Sequence, residues 1–141
     1  RGTGALVTLG NSNGNKQIQI AQAAQFFSFK KGVSHQTYPS SQMGSIALLR
    51  QVFYDLEWYA NTKIKETNIS LDKLYAAKNI ISFFETDDKL EIARARKIAM
   101  EFKMKFNYIG SGNEYMAIND IATVMTVIYK VKLMVMINNY S

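Results

Sequence analysis

The clearest hydrophobic pattern in the chain predicts an amphipathic helix between residues 46 and 60. Apolar residues recur there at steps of three and four, which places them on one side of a helix: Ile46, Leu49, Phe53, Leu56 and Ala60. Further apolar residues widen that side, so we expect the helix to be covered on more than one side: Leu48, Val52 and Tyr59. Ser40 or Ser41 is expected to cap the helix by accepting a bond from a free backbone N–H.

Two short apolar segments predict neighbouring parallel strands. Residues 80–84 are apolar apart from one serine, which is typical of a strand buried on both faces. Residues 105–109 form the second segment, which closes at Gly110-Ser111-Gly112. A helical pattern separates the two segments, and strand, helix and strand in such close succession predict a βαβ unit. The fold class is therefore α/β.

The helix of this βαβ unit is expected to begin at Thr86 or Asp87, either of which can act as an N-cap, and to end near Lys103. Its predicted buried side carries four residues at helical spacing: Ala95, Ile98, Ala99 and Phe102.

The first thirty residues predict a strand–turn–strand unit. Residues 5–9 and 17–20 are the strands, and the Asn- and Gly-rich residues 11–15 are the turn. Residues 23–29 fit either a strand or a helix. Residues 30–41 are expected to form an ordered loop.

Shorter elements complete the prediction. A short helix is expected over residues 71–77 with Ser70 as its cap, and another helix begins near Asn113. Residues 123–141 are treated as a divergent tail after an α/β domain at 1–122, and residues 131–137 within the tail suggest a strand.

Composition and charge narrow the function classes. The 141 residues are 48% hydrophobic and contain no cysteine, which indicates a globular chain and excludes thiolate chemistry. The net charge is +6, but the lysines and arginines are scattered and mixed with acids, so we expect no nucleic-acid partner. The apolar segment 121–137 is interrupted by Lys130 and Lys132, so no membrane span is expected. Residues 1–30 show no signal-peptide pattern; a soluble bacterial protein is expected, exported or periplasmic if a signal lies upstream.

Three stretches resemble the amidohydrolase superfamily, and in particular its imidazolonepropionase-like branch from Bacteroidetes-type bacteria. They are Arg1-Gly2-Thr3-Gly4-Ala5-Leu6-Val7, the run Tyr38-Pro39-Ser40-Ser41-Gln42-Met43-Gly44 with its continuation to Gln51, and Phe84-Glu85-Thr86-Asp87-Asp88 with the helix after it. The resemblance implies that the chain is an internal part of a (β/α)8 barrel, incomplete by itself. It also implies hydrolysis of an amide or lactam C–N bond by a water bound to Zn²⁺ or a similar divalent ion.

The family's metal ligands find few counterparts in this sequence. The resemblance implies a His-x-His pair, further His or Lys ligands and a late Asp, whereas the chain has one histidine, His35, in a polar loop. Glu85 stands at a strand end where the family often has His and is the candidate metal ligand. A carboxylate favoured by the dipole of the following helix is the alternative. Gly110, Ser111 and Gly112 are a candidate anion or substrate site, or a simple turn.

Two main functions remain open at this stage. One is a segment of a metal-dependent amidohydrolase that is inactive alone and holds no metal by itself. The other is a non-catalytic binding or assembly module, which forms a homo-oligomer through unpaired strand edges.

Overall fold

The computed structural model of the chain describes residues 2–10, 14–32, 35–62, 67–111 and 127–129. Its elements follow in the order β1 (Gly2–Val7), α1 (Gly14–Gln17), β2 (Ile18–Ser28), α2 (Gln42–Asn61), α3 (Ile69–Ala76), a 3-10 turn (Ala77–Asn79), β3 (Ile81–Glu85), α4 (Lys89–Glu101), β4 (Phe106–Gly110) and β5 (Val127–Tyr129).

Within the described part of the chain, the strands form a five-stranded sheet in the order β1-β2-β3-β4-β5. β1 runs antiparallel to β2, whereas β2, β3, β4 and β5 pair in parallel. The predicted α/β class and the βαβ unit are therefore confirmed. The antiparallel β1–β2 pair confirms that two neighbouring strands pair here, although β1 spans residues 2–7 and Gln17 belongs to α1. β2 continues through most of the segment 23–29 that the pattern left open.

Helix α2 forms where the hydrophobic period predicts it. Ser41 is its N-cap, and its Oγ accepts a hydrogen bond of 3.1 Å from the Gly44 N–H. Ile46, Phe53 and Leu56 are buried as expected. Ala60 is exposed and Tyr59 is buried in its place, while Leu48 is 39% exposed. The helix is thus covered mainly on one side.

Helix α4 begins later than the sequence predicts. Its N-cap is Asp88, not Thr86 or Asp87, and the Asp88 carboxylate accepts a hydrogen bond of 2.8 Å from the Glu91 N–H. Similarly, Asn68 and not Ser70 caps α3. In both cases an acceptor of the right type stands one or two residues away from the predicted one. The helix ends at Glu101, and Lys103 then adopts a φ of 53°.

The core lies between the helices and one face of the sheet. Aromatic rings from three adjacent strands point to this face, because alternate residues of a strand share a face: Phe27, Phe84 and Phe106. The centroid of the Phe27 ring lies 5.9 Å from that of Phe53 on α2, and the buried Ile98 of α4 belongs to the same cluster. Helices α2 and α4 therefore pack on the same face.

The other face of the sheet has no helix over it in the described ranges. Phe26 and Phe83, neighbours on β2 and β3, stack there with ring centroids 5.2 Å apart. Ile81 on the same face is 58% exposed. The prediction that residues 80–84 are buried on both faces is therefore wrong for the described structure, since only the helix face is covered.

Several predictions fall outside the described residues. These are most of the turn at 11–15, the helix near Asn113, the strand at 131–137 and the division at residue 122. Strand β5, which the sequence did not predict, lies within the segment 123–141 and pairs with β4. No helix in the described ranges is long and apolar enough to cross a membrane.

Candidate functional site at the carboxyl edge of the sheet

The candidate site is built from the carboxyl ends of adjacent parallel strands. Ser28 at the end of β2 is in register with Glu85 at the end of β3, and Glu85 is in register with Ile109 of β4. Because the strands are parallel, these ends share one edge of the sheet. Ligands of open α/β sheets bind outside this edge.

Glu85 lies half-buried at this edge, on the face opposite the core. Its neighbours in the chain, Phe84 and Thr86, are both buried. Phe84 of β3 packs in the core under the helices, so the alternation of the strand turns the Glu85 side chain the other way. A carboxylate in this position is directed to the uncovered face, where a ligand can approach it. The candidate metal ligand is thus placed at a strand end, as predicted.

Lys30 brings a positive charge to the same edge. Its ammonium group forms an ion pair with Asp87. The pKa of Lys30 is raised, chiefly by the hydrogen bond to Asp87, and Glu85 adds a smaller attraction that opposes the loss of hydration. The edge therefore holds an ion pair of Lys30 with Asp87, and the Glu85 carboxylate lies near enough to attract the same lysine. A metal ion at Glu85 would have to compete with this local cation.

The loop after Glu85 is fixed by hydrogen bonds to β4. The Thr86 N–H donates to the Ile109 carbonyl at 2.9 Å, and the Thr86 hydroxyl donates to the same oxygen at 3.3 Å. The Ser111 hydroxyl donates to the Asp87 carbonyl at 2.7 Å. These bonds hold the ends of β3 and β4 together, so the Glu85 backbone has a defined position.

The predicted anion site is only partly described. Gly110 is buried as the last residue of β4, and the Ser111 hydroxyl proton is engaged by Asp87. Gly112 lies outside the described residues. The bond from Ser111 indicates a turn-stabilising role for its hydroxyl, and anion binding by these three residues stays a prediction.

A polar network, missed at the sequence level, supports this edge from the helix side. Glu91 accepts hydrogen bonds from the Asp87 N–H at 2.8 Å and from the Gln42 amide at 2.8 Å. Arg94 donates to the Gln42 side-chain oxygen at 2.6 Å. The network joins the first turn of α2 to the first turn of α4. Its only local signal in the sequence is the Asp88-x-x-Glu91 spacing of a capping box.

The described residues do not by themselves form a metal centre. No group of three or more His, Cys, Asp or Glu side chains with the placement to hold a metal occurs among them. His35, the only histidine of the chain, is exposed in the connection before α2. The structure therefore brings Glu85 together with Lys30 and Asp87, and not with a histidine.

The comparisons with known proteins bear on the fold. No protein-family profile and no curated protein sequence matches the chain. The solved structure of an amidohydrolase from Thermotoga maritima MSB8 matches 90% of this chain with a TM-score of 0.70 and 18% sequence identity. The match spans 38% of that protein's own length. The chain thus has the fold of part of an amidohydrolase.

Proposed function

We propose that this chain forms consecutive strands and helices of the (β/α)8 barrel of a metal-dependent amidohydrolase. Enzymes of this class hydrolyse an amide or lactam C–N bond with a metal-activated water. The observation that carries the proposal is the likeness in fold to the Thermotoga maritima amidohydrolase over 90% of the chain.

The order of the strands supports a barrel. β2, β3, β4 and β5 are parallel and follow one another in the sheet as they do along the chain. Both α2 and α4 pack on the same face. A (β/α)8 barrel has this arrangement, whereas a doubly wound sheet places helices on both faces. In a barrel the uncovered face, with Phe26 and Phe83, would be the interior.

The position of Glu85 agrees with this function. Barrel enzymes carry their catalytic groups at the carboxyl ends of the strands. Glu85 is at such an end, on the face that a barrel would enclose, and its loop is fixed by the bonds from Thr86. We therefore propose Glu85 as the contribution of this chain to a metal or substrate site.

The donor set of the described residues does not fit a resident metal ion by itself. One carboxylate at the edge, with Asp87 already paired to Lys30, provides fewer ligands than the four of a typical zinc site. We accordingly assign no hydrolytic step to this chain alone. The proposal requires the remaining ligands to come from residues beyond those described.

The experiment is a metal and activity assay on the 141-residue chain. Purified protein is loaded with Zn²⁺, dialysed, and assayed for bound zinc and for hydrolysis of a panel of simple amides and lactams. We expect well below one equivalent of zinc and no turnover. Stoichiometric zinc together with turnover by this chain alone would overturn the partial-barrel proposal.

The role of Glu85 is tested in the product of the complete reading frame. Glu85→Gln removes the charge and keeps the shape, and Asp87→Asn is the matched control on the same loop. We expect Glu85→Gln to lower metal content or kcat by at least tenfold while Asp87→Asn retains both. Equal effects of the two changes would remove Glu85 from the site without touching the proposed fold.

An assembly module is the second candidate, and one observation favours it. The outer part of the β1–β2 pair exposes four large apolar residues of its strands, and Leu9 just after β1 is also exposed, whereas neither strand contains a charged residue: Leu6, Val7, Ile18 and Ile20. β1 is also an edge strand of the described sheet, with backbone groups available for pairing. Surfaces of this kind favour association.

Sedimentation of the chain over a wide concentration range separates this candidate from the first. An assembly module predicts a concentration-dependent rise in mass, which Leu6→Lys and Ile20→Lys should suppress. A monomer at every concentration would count against the assembly role.

A further inference from the structure

Three lysines line one cleft at the amino edge of the parallel strands. Lys78 lies in the 3-10 turn before β3, whereas Lys103 and Lys105 lie between α4 and β4. The fold brings these residues around a cleft of about 440 Å³. This edge is opposite to the one that carries Glu85.

Among the residues that the structure describes, the rest of the cleft wall contains no acid. Its other residues are polar or apolar: Asn79, Ser82 and Asn107, with Ile80, Ile81 and Met104. The lysine charges are therefore not neutralised by a carboxylate within the wall. The volume falls in the range of small-molecule pockets, about 300–1,000 Å³.

The turn that carries two of the lysines has a defined backbone. The Phe102 N–H donates to the Ile98 carbonyl at 3.1 Å, and the Met104 N–H donates to the Ala99 carbonyl at 2.9 Å. These bonds fix the end of α4 on both sides of Lys103. Only the lysine side chains, which are exposed, have to order when a ligand binds.

We propose that this cleft binds a small polyanion, a molecule with at least two phosphate or carboxylate groups. An ammonium group acts as a compact positive charge toward such oxygens. Three of them around one concave space favour a small multivalent anion over a nucleic-acid duplex, which needs an extended basic surface. The inference does not rest on the proposed hydrolase function.

Isothermal titration calorimetry of the 141-residue chain at low ionic strength tests the proposal, with pyrophosphate and citrate as probes. We expect saturable binding at one site for at least one probe, and the tighter of the two distinguishes phosphate from carboxylate ligands. The triple variant Lys78→Gln, Lys103→Gln, Lys105→Gln should bind at least tenfold more weakly.

The control removes the same charge from lysines outside the cleft: Lys16→Gln, Lys73→Gln and Lys97→Gln. It should keep affinity within about a factor of two or three when the titration is repeated at about 0.1 M salt, because charges more than about 10 Å apart are then largely screened. If the triple cleft variant does not fold, as judged by circular dichroism, each single variant should still weaken binding severalfold.

Three results would overturn the proposal. The first is the absence of saturable binding for both probes. The second is equal weakening in the cleft and control variants, which would make net charge the sole cause. The third is binding of duplex DNA that neither pyrophosphate nor citrate displaces.

Discussion

Glu85 and Tyr108 lie on adjacent strands and on opposite faces of the sheet, and their surroundings differ accordingly. Glu85 is half-buried on the uncovered face at the carboxyl edge. Tyr108 is 2% exposed among the core residues under the helices. One position is suited to binding a ligand, whereas the other couples the protonation of a phenol to folding.

Tyr108 should make the fold sensitive to alkaline pH. Burial raises the pKa of Tyr108 to about 12, although the nearby Arg96 acts in the opposite direction. In the unfolded chain a tyrosine has a pKa of about 10. Between these values the folded state holds the proton more strongly, so stability is fully present below pH 10 and falls as the pH rises toward 12.

Urea unfolding from pH 8 to 11.5 measures this dependence. The slope attributable to Tyr108 is at most about 1.4 kcal/mol per pH unit. Tyr108→Phe should flatten the profile above pH 10, and its stability at pH 8 isolates any effect on packing. Tyr54 and Tyr59, whose pKa values are also raised, should leave a residual slope. An unchanged profile in Tyr108→Phe would contradict this account of the buried phenol.

At the scale of single elements, the start of α4 depends on one carboxylate. Asp88→Ala removes the acceptor of the Glu91 N–H and should lower the free energy of unfolding by about 1 kcal/mol. Asp88→Asn keeps an acceptor oxygen and is the matched control. Its free energy of unfolding is expected to fall by only a few tenths of the loss in Asp88→Ala. Equilibrium urea unfolding measures the free energy of unfolding of both variants and of the parent protein. A loss as large in Asp88→Asn as in Asp88→Ala would show that the cap bond is not the cause.

The β1–β2 pair depends on a close approach at Gly4. A Cβ at this position would lie 2.7 Å from Cε2 of Phe26, whose ring is stacked on Phe83. Gly4→Ala should therefore destabilise the protein by about 1–3 kcal/mol, as overpacking does. The same change in a Phe26→Ala background should cost little, because the clash is gone. A double-mutant cycle measures the coupling, and additive effects would show that the Phe26 ring is not the obstacle.

The periodic elements could be predicted from the sequence, but the choice of caps could not. Thr86, Asp87 and Asp88 are all suitable N-cap residues, so the local pattern does not discriminate among them. Tertiary contacts decide: Thr86 donates to the Ile109 carbonyl, and Asp87 pairs with Lys30. Asp88 is the acceptor left for the helix.

In the candidate site, too, some features could be predicted from the sequence and others depend on tertiary contacts. The resemblance to the amidohydrolases singles out Glu85, and the βαβ pattern places this residue at the end of β3. Lys30 and the network of Gln42, Glu91 and Arg94 join segments distant in sequence. No spacing of residues within one segment predicts contacts of this kind. They follow only once α2 and α4 are known to pack on the same face of the sheet.

At the scale of the whole molecule, the strands β2 to β5 run parallel in chain order, and the helices α2 and α4 pack on one face of the sheet. The sheet therefore has a carboxyl edge and an amino edge, which carry different side chains. The carboxyl edge holds Glu85 with Lys30 and Asp87, and the amino edge holds the lysine-lined cleft. The net charge is +6, and no nucleic-acid partner was expected because the basic residues are scattered along the sequence. The fold gathers three of these lysines around the cleft. A barrel would close the face between the two edges.

The most direct test of the partial-barrel account compares this chain with the product of its complete reading frame. Both are loaded with Zn²⁺ and assayed for bound metal and for hydrolysis of amides and lactams, with and without a chelator. We predict stoichiometric metal and chelator-sensitive turnover for the complete product, and neither for the 141 residues alone. A complete product that binds no metal and hydrolyses none of these substrates would contradict the account.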